Sequence, residues 1–190
     1  MSNHDQNMSN EAKSLYAHAA GDGLVVGLVM VGTFLSMVLI SRYPLLSPLT
    51  LALLCFTPYL AWRYVRKHWV QRQIPSSFSA VWLTGICIYL FGAIILALGI
   101  YIILGFVFPG WIENQTLLTA QRLAADPRTF QESRMVMEII RQGLLPSPIS
   151  VAVSMIWLVG FTGSLWSLVY ALIATRSRRL LNLRQHSRQG

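Results

Sequence analysis

Four long uncharged stretches, separated by short charged ones, set the plan of this chain. Gly23 to Ser41 carries no charge, and about 19 helical residues at 1.5 Å each cross roughly 30 Å of hydrocarbon. The second stretch opens at Pro48 and stays uncharged to Trp62, with helical continuation open through Trp69 and a span taken as about 48–66. Pro48 suits a first helical position, where its missing N–H would be unpaired anyway. Pro58 lies inside this helix and should kink it by removing a backbone bond. Phe78 to Phe108 forms the third stretch; at about 46 Å it exceeds the hydrocarbon and must tilt or project. Leu144 to Thr175 forms the fourth, with Pro146 and Pro148 close to its start.

Between these stretches the chain is punctuated by turn and capping signals. Arg42-Tyr43-Pro44 ends the first helix, and Arg63, Arg66, Lys67 and Arg72 mark a basic loop of about ten residues. Pro75-Ser76-Ser77 opens the third span; Pro109-Gly110 stops it, and Trp111 suits the interface. In the connector 109–143, Asp126-Pro127 reads as an N-cap followed by proline at the first helical position. Arg128 and Glu132, and Arg134 and Glu138, are spaced i,i+4, while Phe130, Ser133, Met137 and Ile140 fall on another side. The pattern predicts an amphipathic helix over about 127–142, preceded by a weaker one over about 111–125. Two such helices returning on each other would make a small cap.

The predicted fold is therefore all-α: a polytopic four-helix transmembrane bundle with a helical extracytoplasmic connector between spans three and four. The spans lie at about 23–41, 48–66, 78–108 and 144–175, within a membrane domain 14–176. A polar tail, 1–13, precedes it and a basic tail, 177–190, follows. Ser14 to Ala20 would start a helix before the membrane. Leu180, Leu181 and Leu183 would let the basic tail lie on the headgroups. Ala17-His18-Ala19 precedes the apolar run instead of following it, and no basic region precedes that run closely, so a cleaved signal peptide is not expected.

Small residues recur at helical spacing within the spans. Gly23 and Gly27 form one GxxxG, and Gly32 and Ser36 a second small pair. Gly85, Gly92 and Gly99 repeat every seven residues. Gly160, Ser164, Ser167, Ala171 and Ala174 make an unbroken small stripe, with Gly163 beside it. Such stripes let two membrane helices approach closely. A dimer face is one use, but packing within the bundle is the commoner one. The stripes of spans three and four are expected to meet, because a direct connector makes those helices antiparallel neighbours.

Composition agrees with this plan. Hydrophobic residues make up 54% and charged residues 12%, about half the charge of a soluble domain. The net charge of +8 comes from 15 Lys and Arg against 7 acids. These basic residues flank apolar runs without an aromatic-interleaved groove, so anionic lipid headgroups explain them better than nucleic acid. Lys13, the 63–72 segment and residues 176–188 hold ten of the 15, and Arg42 and the connector hold five. An even number of spans puts both termini on one side, and the basic asymmetry makes that side the cytoplasm.

Candidate chemistry is sparse. Asp22 is the one acid adjoining a span. It would serve either as a cation- or proton-carrying group, or as a cap or interfacial acid where the chain enters the membrane, the second being the commoner role. Cys55 and Cys87 fall inside apolar runs and read as small buried hydrophobes. His4, His18, His68 and His186 are scattered near termini and charged segments and read as surface residues. Asn114-Gln115-Thr116 matches a glycosylation triplet that arises often by chance. No metal-ligand spacing, nucleophile motif or phosphate loop is present, so no catalytic, cofactor-binding or metal-ligating residue is expected.

The ordering of these features resembles the bacterial domain-of-unknown-function family 4199. The residues that carry the resemblance are the basic second loop, Phe106-Val107-Phe108-Pro109-Gly110-Trp111-Ile112-Glu113, Met135-Val136-Met137-Glu138 and Pro146-Ser147-Pro148, across about 14–176. The resemblance implies a small four-span protein of a bacterial inner membrane and brings no catalytic residues with it. The expected function is non-enzymatic: an interaction or accessory subunit of a membrane complex, engaging a membrane-protein partner or a second copy. Its contact surface would be the connector stripe Arg128, Arg134, Glu138 and Arg141. The alternative is a small oligomeric transporter or channel.

Overall fold

A computed structural model describes residues 3–71, 78–125 and 128–189, with side chains described at 17, 19–67, 78–125 and 128–176. Among the described residues there are six α-helices and no strand: α1 (Asn3–Leu39), α2 (Ser47–Gln71), α3 (Phe78–Ile102), α4 (Trp111–Ala124), α5 (Phe130–Arg141) and α6 (Pro148–Gln189). Four stretches are long and apolar enough to cross a membrane: Ala19–Leu39, Pro44–Lys67, Phe78–Val107 and Pro148–Arg176. Large apolar side chains along them, including Leu51, Leu54, Trp157 and Phe161, are exposed on the protein surface. Membrane hydrocarbon covers such surface at no cost in hydrophobic free energy. The chain is an all-α, multi-pass integral membrane protein.

Several boundaries differ from the sequence reading, each for a local reason. The polar residues expected as a tail are helical from Asn3, continuous with the first span. Nothing between Asn3 and Ala20 breaks a helix, and extending an existing helix avoids the cost of nucleation. The expected basic loop forms the last turns of α2, which runs to Gln71. Arg72 and the Pro75-Ser76-Ser77 signal lie outside the described residues. The last helix starts at Pro148, not at Leu144, where the Ser147 hydroxyl accepts the Ser150 N–H at 3.3 Å as a side-chain cap. It continues to Gln189 without a break, so the tail belongs to α6. The side chains of Leu180, Leu181 and Leu183 lie outside those described. α5 begins at Phe130, three residues later than expected, and Asp126-Pro127 also lies outside the described residues.

Two glycines in the left-handed region shape the connector. α3 closes with one π turn, Ile103–Val107, in which the Phe108 N–H reaches back five residues to Ile103 O at 2.8 Å. Gly110, at φ 81°, then turns the chain into α4. At the end of α5, Leu144 N–H donates to Ile139 O and Gly143 N–H to Ile140 O. With Gly143 at φ 66° this is a Schellman cap, which pairs the last carbonyls of the helix.

The chain divides into two compact units, Met1–Leu96 with Met155–Gly190, and Ala97–Ser154. The first holds α1, α2 and the larger parts of α3 and α6. Its core combines small and aromatic side chains: Ala19, Val26, Ala61, Ile88, Tyr89, Tyr170, Ala171 and Ala174. α1 and α2 pack side by side and are cross-linked by a 2.8 Å hydrogen bond between the Ser36 and Thr50 hydroxyls. The second unit is built on the α4–α5 hairpin, with Ala120 and Ser133 buried where the two helices cross.

Candidate functional site

The small residues singled out in the sequence divide between two helix contacts in the first unit. Gly23 and Gly27 of α1 lie against α3. A Cβ on Gly23 would sit 2.6 Å from Phe91 Cβ and 2.9 Å from Ile88 O, and one on Gly27 would sit 2.7 Å from Ile95 Cβ and 2.9 Å from Gly92 O. The GxxxG is thus filled by the chain's own α3, with Gly92 as its opposite number. Gly85 and Gly163 belong to the other contact, between α3 and α6. Gly85 faces Ser167, which is fully buried, and Gly163 faces the Tyr89 ring. Gly160 meets only the Leu90 side chain, Ser164 offers its carbonyl to the Trp82 indole N–H at 3.3 Å, and Gly99 is half-buried on α3. The stripes of α3 and α6 come together at Gly85–Ser167 and Gly163–Tyr89, while Gly92 of the same α3 stripe lies against Gly23 and Gly27 of α1. Gly32 has open space around it, while its pair partner Ser36 is buried.

A polar cluster that the sequence reading missed ties three helices together. Tyr89 of α3 and Tyr170 of α6 are both 4% exposed, and their hydroxyls are 3.1 Å apart. The Tyr170 hydroxyl donates to Pro58 O of α2 at 2.7 Å. A phenol has one proton, so Tyr89 must be the donor in the 3.1 Å bond. The Trp62 and Trp166 rings flank Tyr170 at centroid distances of 5.4 and 6.2 Å. The sequence did carry a signal here. A tyrosine in the middle of an uncharged span has a hydroxyl that must find a partner away from water, but which carbonyl it finds is a matter of tertiary contact.

In the connector unit, α4 and α5 are joined by side-chain bonds to backbone. Ser133 Oγ donates to Ala120 O at 2.9 Å across the crossing, and Thr129 Oγ1 donates to Leu123 O at 2.7 Å. The buried side of α5 is Ser133 with the half-buried Val136 and Ile140. Phe130, Met135, Met137 and Ile139 are exposed on the protein surface. The stripe Arg128, Gln131, Arg134, Glu138 and Arg141 is exposed throughout. The Arg134 guanidinium lies 5.0 Å from the centroid of the Phe130 ring, and Glu138 accepts the Gln142 amide at 2.9 Å. Both arrangements hold side chains along the helix surface at little stabilising value.

The remaining candidates are placed as follows. Asp22 is half-buried in the interior of α1 and inside the first apolar stretch, so it caps no helix. Cys87 is half-buried and Cys55 is exposed, which corrects the expectation of two buried thiols; both are free. Asn114 is exposed on α4 with Thr116 bonded back to Ile112 O. His4, His18, His68 and His186 lie outside the described side chains. Among the described residues no group of three His, Cys, Asp or Glu gathers as a metal site would require.

No curated protein and no solved structure matches this chain. The pattern of one protein family, described as protein of unknown function (DUF4199), matches residues 22–176. That range takes in the first apolar stretch from Asp22 onward, the other three whole, the glycine contacts, the Tyr89–Tyr170–Pro58 cluster and the α4–α5 hairpin, and on it the chain belongs to the DUF4199 family.

Proposed function

We propose that this protein is a non-enzymatic interaction or accessory subunit of a complex in the bacterial inner membrane, and that the α4–α5 hairpin is its contact surface. The observation that supports this reading is the construction of the hairpin. A connection between two adjacent membrane helices needs about 2–8 residues. Here it contains two helices, a buried Ser133–Ala120 crossing and a glycine cap at its end. Such a unit orders its exposed residues. It presents Phe130, Met135, Met137 and Ile139 beside the charged stripe Arg128, Arg134, Glu138 and Arg141, a mixture suited to a protein partner's surface. The partner is a membrane protein or a second copy of this chain. The ten-to-five distribution of basic residues supports cytoplasmic termini, beside anionic headgroups, and an extracytoplasmic hairpin.

The test is recovery of the partner from native membranes in mild detergent with wild-type protein and with the Arg134→Glu, Arg141→Glu double variant. Exposed charges contribute little to folding, so the variant should keep its thermal stability and lose the partner. Equal recovery of the same partner by both proteins would refute the hairpin as the contact surface. One observation favours a second reading, a small oligomeric transporter or channel: Asp22 lies half-buried within an apolar stretch, as ion-coupling acids do. Flux into liposomes that disappears in Asp22→Asn would select that reading instead.

A further inference from the structure

α2 is made of two unlike halves that meet at Pro58. Beyond the proline, Leu60, Ala61 and Val65 are buried in the core of the first unit, and Trp62 packs on Tyr170. Before it, Leu49, Leu51, Leu54 and Phe56 are all exposed, and the Thr50 hydroxyl bonds that of Ser36 on α1. Three features mark the backbone at the junction. Pro58 has no N–H to offer the Leu54 carbonyl. The Thr57 hydroxyl bonds back to Leu53 O at 2.9 Å, an arrangement that bends helices. Tyr170 places its hydroxyl on Pro58 O at 2.7 Å, where it competes with the helix's own donor for that carbonyl. The first two features loosen the turn, whereas the third ties it to a side chain buried in the core.

We propose that Pro58 is a hinge within the second span and that the Tyr170 hydroxyl is its latch, holding the outer half of α2 in one position. Released, the outer half, with the turn that joins it to α1, moves as an arm while the inner half stays anchored. Tyr89 supports the latch without carrying it. Its hydroxyl donates to Tyr170, so the Tyr170 proton is left for Pro58. The inference is independent of any partner on the hairpin, since every group in it belongs to the first unit.

The experiment is double electron–electron resonance on the full chain in lipid nanodiscs, in a Cys55→Ser, Cys87→Ala background. Spin labels at Leu49→Cys and Ile173→Cys report the outer half against α6, and labels at Lys67→Cys and Phe161→Cys report the inner half. Tyr170→Phe, which removes one oxygen and keeps the ring contacts, should broaden the 49–173 distances or add a second population, with 67–161 unchanged. Tyr89→Phe should leave both distributions narrow, because the bond to Pro58 remains. Adding Pro58→Ala to Tyr170→Phe should restore a single narrow 49–173 distribution, because an alanine there supplies the missing N–H. A narrow 49–173 distribution in Tyr170→Phe would overturn the latch. Equal broadening of both pairs would mean a loosened bundle instead of a hinge. Broadening that survives Pro58→Ala would remove the proline from the mechanism.

Discussion

Gly27→Ala and Gly32→Ala make a matched pair on one helix. Both replace a glycine in the interior of α1, five residues apart, and both gain the same helix propensity, about 1 kcal/mol. The comparison therefore cancels that contribution and leaves the packing difference. At Gly32 a new Cβ meets nothing within 4 Å. At Gly27 it meets Ile95 Cβ at 2.7 Å, Gly92 O at 2.9 Å and Gly92 Cα at 3.1 Å, where ordinary contact begins at 3.4 Å. Two of those atoms are backbone and the third is fixed to it, so no rotamer change relieves the overlap. α1 and α3 must separate by roughly half an ångström or more, and a gap of that size forfeits about a quarter to a half of each contact's dispersion well. Overpacking of this kind costs about 1–3 kcal/mol. Gly27→Ala should thus be less stable than Gly32→Ala by about that amount, with Gly32→Ala at or above wild type. Reversible unfolding in mixed micelles of increasing SDS content, followed by circular dichroism, measures the difference. Equal stability of the two variants would show that α1 does not pack on α3 through this face.

Other expectations follow from the same geometry. Single cysteines at His68 and His186, in a background without Cys55 and Cys87, should be protected from an impermeant maleimide outside intact cells, and one at Gln131 should be labelled. Labelling of 68 and 131 from the same side would remove the four-span threading. Ser133→Val loses the bond to Ala120 O and adds a branched side chain at the crossing; it should loosen the hairpin by about 1–3 kcal/mol, seen as faster proteolysis between α4 and α5. Gly143→Val should fray the end of α5, because a β-branched residue resists φ 66° even though the space around it is open. Hydrogen exchange at Gly143 and Leu144, whose N–H groups form the cap, reads this directly, and unchanged protection would argue against the cap.

What was legible in the sequence was whatever depends on local composition. An uncharged run of about 19 residues or more must satisfy its backbone internally once it is in hydrocarbon. All four runs accordingly appear as apolar helices, and the connector appears as two short ones. Proline and glycine marked the breaks for equally local reasons, because they act on one residue's φ or one N–H. Helix ends without such punctuation were misplaced. The Asn3–Lys13 segment is polar but contains nothing that stops a helix, so α1 runs through it.

The contacts were decided by tertiary structure. Small residues announce that some helix comes close without saying which. The Gly23 and Gly27 pair faces α3, and Gly85 and Gly92 of one heptad stripe face different helices. On α5 a helical period likewise gives only relative directions, and it is the contact with α4 that makes Ser133 the buried position. The Tyr89–Tyr170–Pro58 cluster is the clearest case. Tyr89 and Tyr170 are 81 residues apart, and Tyr170 and Pro58 are 112 apart. A hydroxyl's need for a partner is a property of the residue. The partner itself exists only once three helices have packed, because a hydrogen bond is made at about 3 Å and nothing in the local chain reaches that far.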